Sequence, residues 1–266
     1  MNWYKIAKVV KIGSKLSKIE DNLHNFLKNN KDYKMTNLDK KAEFPIYLIK
    51  KSKPNPKFKN ILIAGGFHGD EEAGVWGLEK FLDSNNKSLL NQANVSFLPC
   101  INIFGLENNK RKDKNKIDPN RHYDNSKSKK HSIHDILIKN MELILDCSKD
   151  GFLSLHESKV SKKFFLYLYS EINNKKYLNL AKSIIKNGTN NDFDTYKKEL
   201  SVAKGSNYND AQIICNVEDD ESFEKHLFDL EVPICIVTET PIIEDILNKR
   251  INLNQQTVRL FIKGLI

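Results

Sequence analysis

With 266 residues, 39% of them hydrophobic, the chain can bury a full core, and one α/β domain is the expectation. No uninterrupted apolar run approaches the roughly 18 to 20 residues that cross a bilayer, so a soluble protein without membrane contact is expected. The formal charge of +9 invites a nucleic-acid partner, but the lysines are dispersed among asparagines (Asn29-Asn30-Lys31, Asn108-Asn109-Lys110, Asn173-Asn174-Lys175), as on a solvated surface, and none is expected.

The first residues, Met1-Asn2-Trp3-Tyr4-Lys5, scatter lysine where a secretory leader needs a clean apolar core of about 7 to 15 residues, which predicts a cytoplasmic location. Over residues 1–42, Ile12, Leu16, Ile19, Leu23, Phe26 and Leu27 recur at helical spacing. This predicts a helical N-terminal segment packed on a catalytic core of residues 43–266, all within one domain. Strands are predicted at 44–49 and 61–64, separated by the turn-rich 51–56. Gly65-Gly66 then opens a loop, and Ala73, Val75, Leu78, Phe81 and Leu82 predict a helix over 72–82. His68 and Glu71 thus stand at the carboxyl end of a strand, where ligand sites of open α/β sheets gather.

Further strands are predicted at 95–100, 152–155, 164–169 and 234–238, and helices near 134–146, 175–187 and 253–262. Strands alternating with helices argue for an α/β fold, a mixed parallel and antiparallel sheet flanked by helices. Residues 107–130 are almost wholly charged or polar and read in isolation as a disordered loop, yet they hold Arg111, Asp118, Asn120 and Arg121. The four cysteines, Cys100, Cys147, Cys215 and Cys235, form no Cys-x-x-Cys pair, so reduced and partly buried thiols are expected.

A catalytic zinc takes three protein ligands, often two His and one Glu, and leaves a fourth position to water. Gly65-Gly66-Phe67-His68-Gly69-Asp70-Glu71 offers a His and a Glu in a bend whose glycines let the backbone turn tightly. His156 ends another apolar strand and is a candidate third donor. Each signal alone is weak. His131 and His134 form a competing pair at helical spacing, but they lie among lysines and serines and read as a solvated helix start. His24, His122 and His226 read as surface or packing residues. Glu239 follows the buried-strand run 232–237, and an acid at such an exit needs a partner or a task.

In order along the chain stand His68-x-x-Glu71, Asn102-Ile103-Phe104-Gly105, Arg111, Asp118-Pro119-Asn120-Arg121, His156 and Thr238-Glu239-Thr240-Pro241. In this order the sequence resembles the zinc carboxypeptidase family, the carboxypeptidase A-like metallopeptidases, over roughly residues 60 to 241, and it looks like a compact bacterial-type member. The resemblance implies the corresponding phosphorylase/hydrolase-like fold and one Zn²⁺ held by His68, Glu71 and His156. It implies Glu239 as the general base that moves a proton from the zinc-activated water to the leaving nitrogen, and Arg111 as stabiliser of the oxyanion. Asn120 and Arg121 would hold a substrate carboxylate. The chain departs from the family at Ile103, where a proline is usual, and at His122-Tyr123. Tyr208 is one candidate for a substrate-closing tyrosine, outside the assigned site.

The implied activity is that of a zinc-dependent peptidase cutting an amide bond near a free carboxylate, of carboxypeptidase or murein-peptide amidase type, with the basic surface favouring small acidic peptides. A related deacylase of the aspartoacylase and succinylglutamate desuccinylase type is the alternative; the interval of seven residues from Arg111 to Asp118 leans to the peptidase. A catalytically inactive binding protein on the same fold is the alternative of another class, and it would be expected to lack a ligand or the base.

Overall fold

Ser14 starts the first helix: its hydroxyl accepts the Ser17 N–H at 3.2 Å, and α1 (Lys15–Asn29) buries Leu16, Ile19, Leu23 and Phe26 on one face. The computed structural model describes residues 14–123, 131–171, 174–202, 211–218, 220–242 and 247–266. After α1 come β1 (Tyr33–Asn37), β2 (Tyr47–Lys51), β3 (Asn60–Gly65), α2 (Glu72–Asp83), α3 (Lys87–Leu90), β4 (Asn94–Leu98) and α4 (Ile103–Asn108). The second half holds α5 (Ile133–Lys139), α6 (Met141–Ser148), β5 (Gly151–Ser158), β6 (Phe165–Ser170), α7 (Lys175–Asn190), β7 (Lys198–Val202), β8 (Ala211–Cys215), α8 (Phe223–Asp229), β9 (Ile234–Pro241) and α9 (Leu247–Leu265).

The strands form a nine-stranded sheet in the order β1-β2-β4-β3-β5-β9-β6-β8-β7. Its centre, β4-β3-β5-β9, is parallel, while β1, β2 and β4 pair antiparallel and β6 runs antiparallel to β9. Side chains alternate across the strands, so Ile61 and Ile63 of β3 enter one core while Leu62 and Ala64 enter the other. The first core is completed by Ile19 of α1, Val75 of α2, Ile184 of α7 and Phe261 of α9; the second by Leu137 of α5, Ile144 of α6 and Leu227 of α8. Two covered faces explain why the central strands are apolar without interruption. Among the described residues, no helix is long and apolar enough to cross a membrane.

The mixed sheet flanked by helices is as expected, with four differences in detail. The N-terminal segment is not helical throughout: helix covers Lys15–Asn29, and Tyr33–Asn37 is an edge strand paired with β2. The helix expected over 134–146 is broken at Asn140, whose side-chain amide donates to Ile136 O at 2.8 Å and so takes over a carbonyl at the helix end. His134 is not solvated: it is buried, its ring 4.5 Å from that of Tyr123 and its Nε2 3.1 Å from His122 O. The polar stretch after Glu107 is ordered over 109–123, where Asp113 Oδ1 accepts from Asn115 N at 2.8 Å and Ile117 N at 3.0 Å, and Tyr123 donates its hydroxyl to Pro119 O. Residues 124–130 and Tyr208 lie outside the described residues. All four cysteines are free and buried, as expected.

Candidate metal and catalytic site

Three adjacent parallel strands deliver the chemistry. β3 ends at Gly65 and feeds the bend with His68 and Glu71, while His156 lies on β5 and Glu239 on β9. Gly66 takes φ +70°, a left-handed conformation that side chains disfavour, and this turns the chain back over the sheet. At Gly69 an added Cβ would lie 1.8 Å from Gly105 C, so the bend can press against α4 only because it lacks a side chain there. Asn102 caps α4 by accepting from Gly105 N at 2.8 Å, and its amide donates to Arg111 O at 3.1 Å. The Asn102 to Gly105 turn therefore sets the backbone that carries Arg111.

His68, Glu71 and His156 are each buried and can each offer one donor atom, all within 4.8 Å of one another. His68 Nδ1 lies 2.8 Å from Glu71 Oε1, and His156 Nδ1 lies 2.9 Å from Glu71 Oε2. Despite that distance, His68 Nδ1 makes no hydrogen bond of acceptable geometry, so a buried donor atom is aimed at a carboxylate without bonding to it. The outward Nε2 of each ring meets a second carboxylate: His68 faces Asp118 Oδ1 at 3.0 Å, and His156 faces Glu224 Oε1 at 3.3 Å. Imidazoles whose far nitrogen is held by a carboxylate are oriented and made more basic as donors.

The electrostatics point the same way. Around the two rings stand the carboxyls of Glu71, Asp118, Glu224 and Glu239, with Asp220 near Arg121, so carboxyl groups outnumber the guanidinium groups of Arg111 and Arg121. Burial disfavours the charge on Glu71 and Asp118, but His156 and His68 outweigh it at Glu71, and His68, the Asn120 N–H and Arg111 outweigh it at Asp118, so both carboxyls lie well below the usual range. Burial likewise opposes a charged His156, yet Glu224 and Glu71 hold its pKa well above the ordinary value. A field that favours a proton on that ring also favours a divalent cation at the same point. The donor set, the unbonded His68 Nδ1 and the surplus of carboxyl groups all fit a metal ion.

Glu239 stands directly across the β5–β9 ladder from His156 and across the β9–β6 ladder from Phe165. Burial, reinforced by the charges of Glu71 and Glu224, pushes its carboxyl up to about 7. It opens on a cavity of about 450 Å³ that also takes in His68, Glu71, His156, Arg111 and Arg121. Phe165, Tyr167, Val217 and Val237 also line the cavity, Phe165 and Tyr167 from the strand beside Glu239 and Val237.

Arg111 donates from Nε to Asp118 Oδ2 at 2.9 Å and lies 3.3 Å from Glu71 through Nη1, with its side chain 41% exposed toward the cavity. Arg121 is less free: Nη1 donates to Asn120 O at 2.7 Å, and Asp220, Asp118 and Glu224 balance its charge. Asn120 is buried and turned inward, its Nδ2 donating to Glu224 Oε2 at 3.0 Å and its Oδ1 accepting from Phe223 N at 2.9 Å. All seven residues singled out in the sequence thus line one cavity.

Two participants were not assigned a role from the sequence. Asp118 was visible only as the first residue of its motif, and the structure gives it both His68 and Arg111. Glu224 follows Asp219-Asp220-Glu221 and reads as part of a solvated acidic run. The available signal was Ser222, which caps α8 by accepting from Lys225 N and thereby starts a helix with Phe223 and Glu224 on its buried side.

Residues 57–206 match the family model described as the succinylglutamate desuccinylase/aspartoacylase catalytic domain. A sequence comparison with curated proteins finds no match. Among solved structures, a candidate metallopeptidase from Shewanella denitrificans superposes with a TM-score of 0.79 at 24% identity, covering 94% of this chain and 90% of that one. A metallo-carboxypeptidase from Burkholderia cenocepacia gives a TM-score of 0.65 at 13% identity, over 92% of this chain and 68% of the other. A succinylglutamate desuccinylase from a Silicibacter species gives 0.55 at 11% identity, over 84% and 61%. At these identities the likeness is one of fold, and the fold is that of zinc carboxypeptidase-like proteins.

Proposed function

Since the chain belongs to the succinylglutamate desuccinylase/aspartoacylase catalytic-domain family, we propose that it is a zinc-dependent hydrolase that cleaves an amide bond beside a free carboxylate in a small peptide. One observation carries this reading: His68, Glu71 and His156 converge within 4.8 Å at the floor of a cavity that Glu239, Arg111 and Arg121 also enter. Two imidazoles and one carboxylate suit zinc and leave room for a non-protein ligand. A zinc ion held there would act as a Lewis acid, polarising the scissile carbonyl and acidifying water.

The chain's own groups divide the remaining work. Glu239 takes a proton from the attacking water and delivers it to the leaving nitrogen. Arg111, held over the site by Asp118, meets the negative charge that develops on the carbonyl oxygen. Arg121 binds the substrate carboxylate beside Asn120, whose Nδ2 donates to Glu224 Oε2 and also lies 3.5 Å from His156 Nε2. Phe165, Tyr167, Val217 and Val237 in the cavity lining keep water from the reacting groups.

The family match favours a second reading, an N-acyl amino acid deacylase, which would use the same groups on a smaller substrate. The test is metal analysis of the purified protein with hydrolysis of free-carboxylate peptides, their C-terminally amidated counterparts, muropeptides and N-acyl amino acids. Cleavage confined to free-carboxylate peptides supports the first reading, and cleavage confined to N-acyl amino acids the second. Bound zinc without turnover on any of them would favour a binding protein.

A further inference from the structure

Glu224 is a charged side chain with no exposure at all, and it comes from α8, beyond residues 57–206 that the family model matches. A lone buried carboxylate is costly, so its partners define what it is for. Both oxygens are committed. Oε1 lies 3.3 Å from His156 Nε2, and Oε2 accepts from Asn120 Nδ2 at 3.0 Å. The neighbouring Phe223 N–H closes the circuit by donating to Asn120 Oδ1 at 2.9 Å.

The His156 ring is fixed in the remaining directions as well. Phe67 stacks on it at 5.7 Å with planes inclined by 13°, and Phe223 packs on Phe67 at 5.5 Å. With Nε2 held at Glu224, the ring can direct only Nδ1 toward Glu71. We propose that Glu224 is a positioning residue that fixes the donor geometry of His156 and the orientation of Asn120, coupling the metal donors to the carboxylate-binding side of the cavity. This rests on the reading of His156 as a zinc donor.

The requirement for a carboxylate follows from the two donors that converge on it. A glutamine can accept from one of them, but its own N–H₂ must then face the N–H of the other. Glu224→Gln therefore keeps the shape and loses one of the two contacts.

The test uses the full chain with zinc alone as the probe, titrated against a chromogenic chelator, and compares wild type, Glu224→Gln and His156→Ala. Glu224→Gln is expected to weaken zinc binding about 10- to 100-fold, the range seen when a carboxylate behind a ligating histidine is removed. It should also shift the visible spectrum of the Co²⁺-loaded protein, a change that loss of packing elsewhere would not produce. If Glu224→Gln binds zinc as wild type does, with an unchanged Co²⁺ spectrum, while His156→Ala loses zinc, the positioning role is overturned and the zinc reading stands. If His156→Ala also binds zinc normally, the reading of His156 as a donor fails and takes the positioning role with it. Should Glu224→Gln not fold, the Nε2–H proton of His156 in zinc-loaded wild type decides by NMR: a downfield, slowly exchanging signal marks a strong hydrogen bond to Glu224 and supports the role, and a signal without that downfield shift overturns it.

Discussion

His156 and Glu239 are paired directly across the parallel ladder of β5 and β9. Neighbouring strands lie about 4.8 Å apart, so the sheet itself sets the separation of the proposed metal donor and the proposed base. Because Glu239 contributes no donor to the cluster of His68, Glu71 and His156, Glu239→Gln is expected to retain bound zinc. Its turnover should fall about 10²- to 10⁴-fold, the usual contribution of a positioned proton-transfer group. Zinc content and initial rates on the same preparation check this, and normal turnover would remove Glu239 from the mechanism.

The two arginines should separate kinetically. Arg111 is 41% exposed and tethered by Asp118 over the donor cluster, where charge develops during reaction. Arg111→Ala is therefore expected to lower kcat about 10²- to 10³-fold, and Arg111→Lys should restore little, since an ammonium cannot reproduce the fork that spans Asp118 and Glu71. Arg121 faces Asp220, and on the proposed mechanism it binds the ground-state carboxylate, so Arg121→Ala should act mainly by raising KM. Steady-state kinetics of both variants on one substrate would show the split; the same effect from both would place them in one role.

What the sequence disclosed follows from burial. Ile61 to Ala64 and Ile234 to Val237 are covered on both faces, so their apolar runs stand out, and His68, Glu71 and Glu239 at their exits could be picked out as candidates from them. The edge strand β7, Lys198–Val202, is largely exposed and carries no such pattern. The loop that carries Arg111 and Arg121 looked disordered because its order comes from side chains such as Asp113 and Asn102 bonding to backbone, which hydrophobic patterning does not register. Glu224 was hidden for a related reason. Its partners Asn120 and His156 lie 104 and 68 residues away in the chain, and only the fold brings them to it.

Stability should fall with rising pH through one group on α2. Glu79 is 2% exposed and makes no ion pair among the described residues. Burial pushes its pKa from 4.5 up to about 8, with Asp83 adding to the rise and Asn22 and Lys18 of α1 opposing it. The folded protein therefore keeps a proton that the unfolded chain releases near pH 4.5. Its contribution is fully present below that pH, declines as pH rises, and is lost once pH passes about 8. At about 1.4 kcal/mol per pH unit the whole change amounts to a few kcal/mol. Glu79→Gln stays neutral throughout, so urea unfolding at pH 5 and pH 9 should show a smaller loss for the variant than for wild type. Equal losses would assign the pH dependence to other groups.

Behind the metal donors, Arg250 of α9 donates from Nη1 to Glu157 Oε1, while Glu157 Oε2 accepts from Ala73 N at 2.8 Å at the start of α2. The Glu157 side chain has no exposure and that of Arg250 only 11%, so the pair is buried. Burial pushes the Glu157 carboxyl up to about 7 even with Arg250 pulling it down. Removing the arginine alone would strand a carboxylate in the core, and Arg250→Met is expected to destabilise the fold by about 3 to 5 kcal/mol. The same position also bears on the site, because Glu157 N donates to Glu71 Oε2 at 3.1 Å. Adding Glu157→Gln to Arg250→Met removes the stranded charge while keeping an acceptor for Ala73, so the double variant should recover part of the loss. Urea unfolding of wild type, both single variants and the double variant gives the coupling directly. Losses that simply add would mean that the ion pair does not hold α9 to β5, and that helix packing alone does.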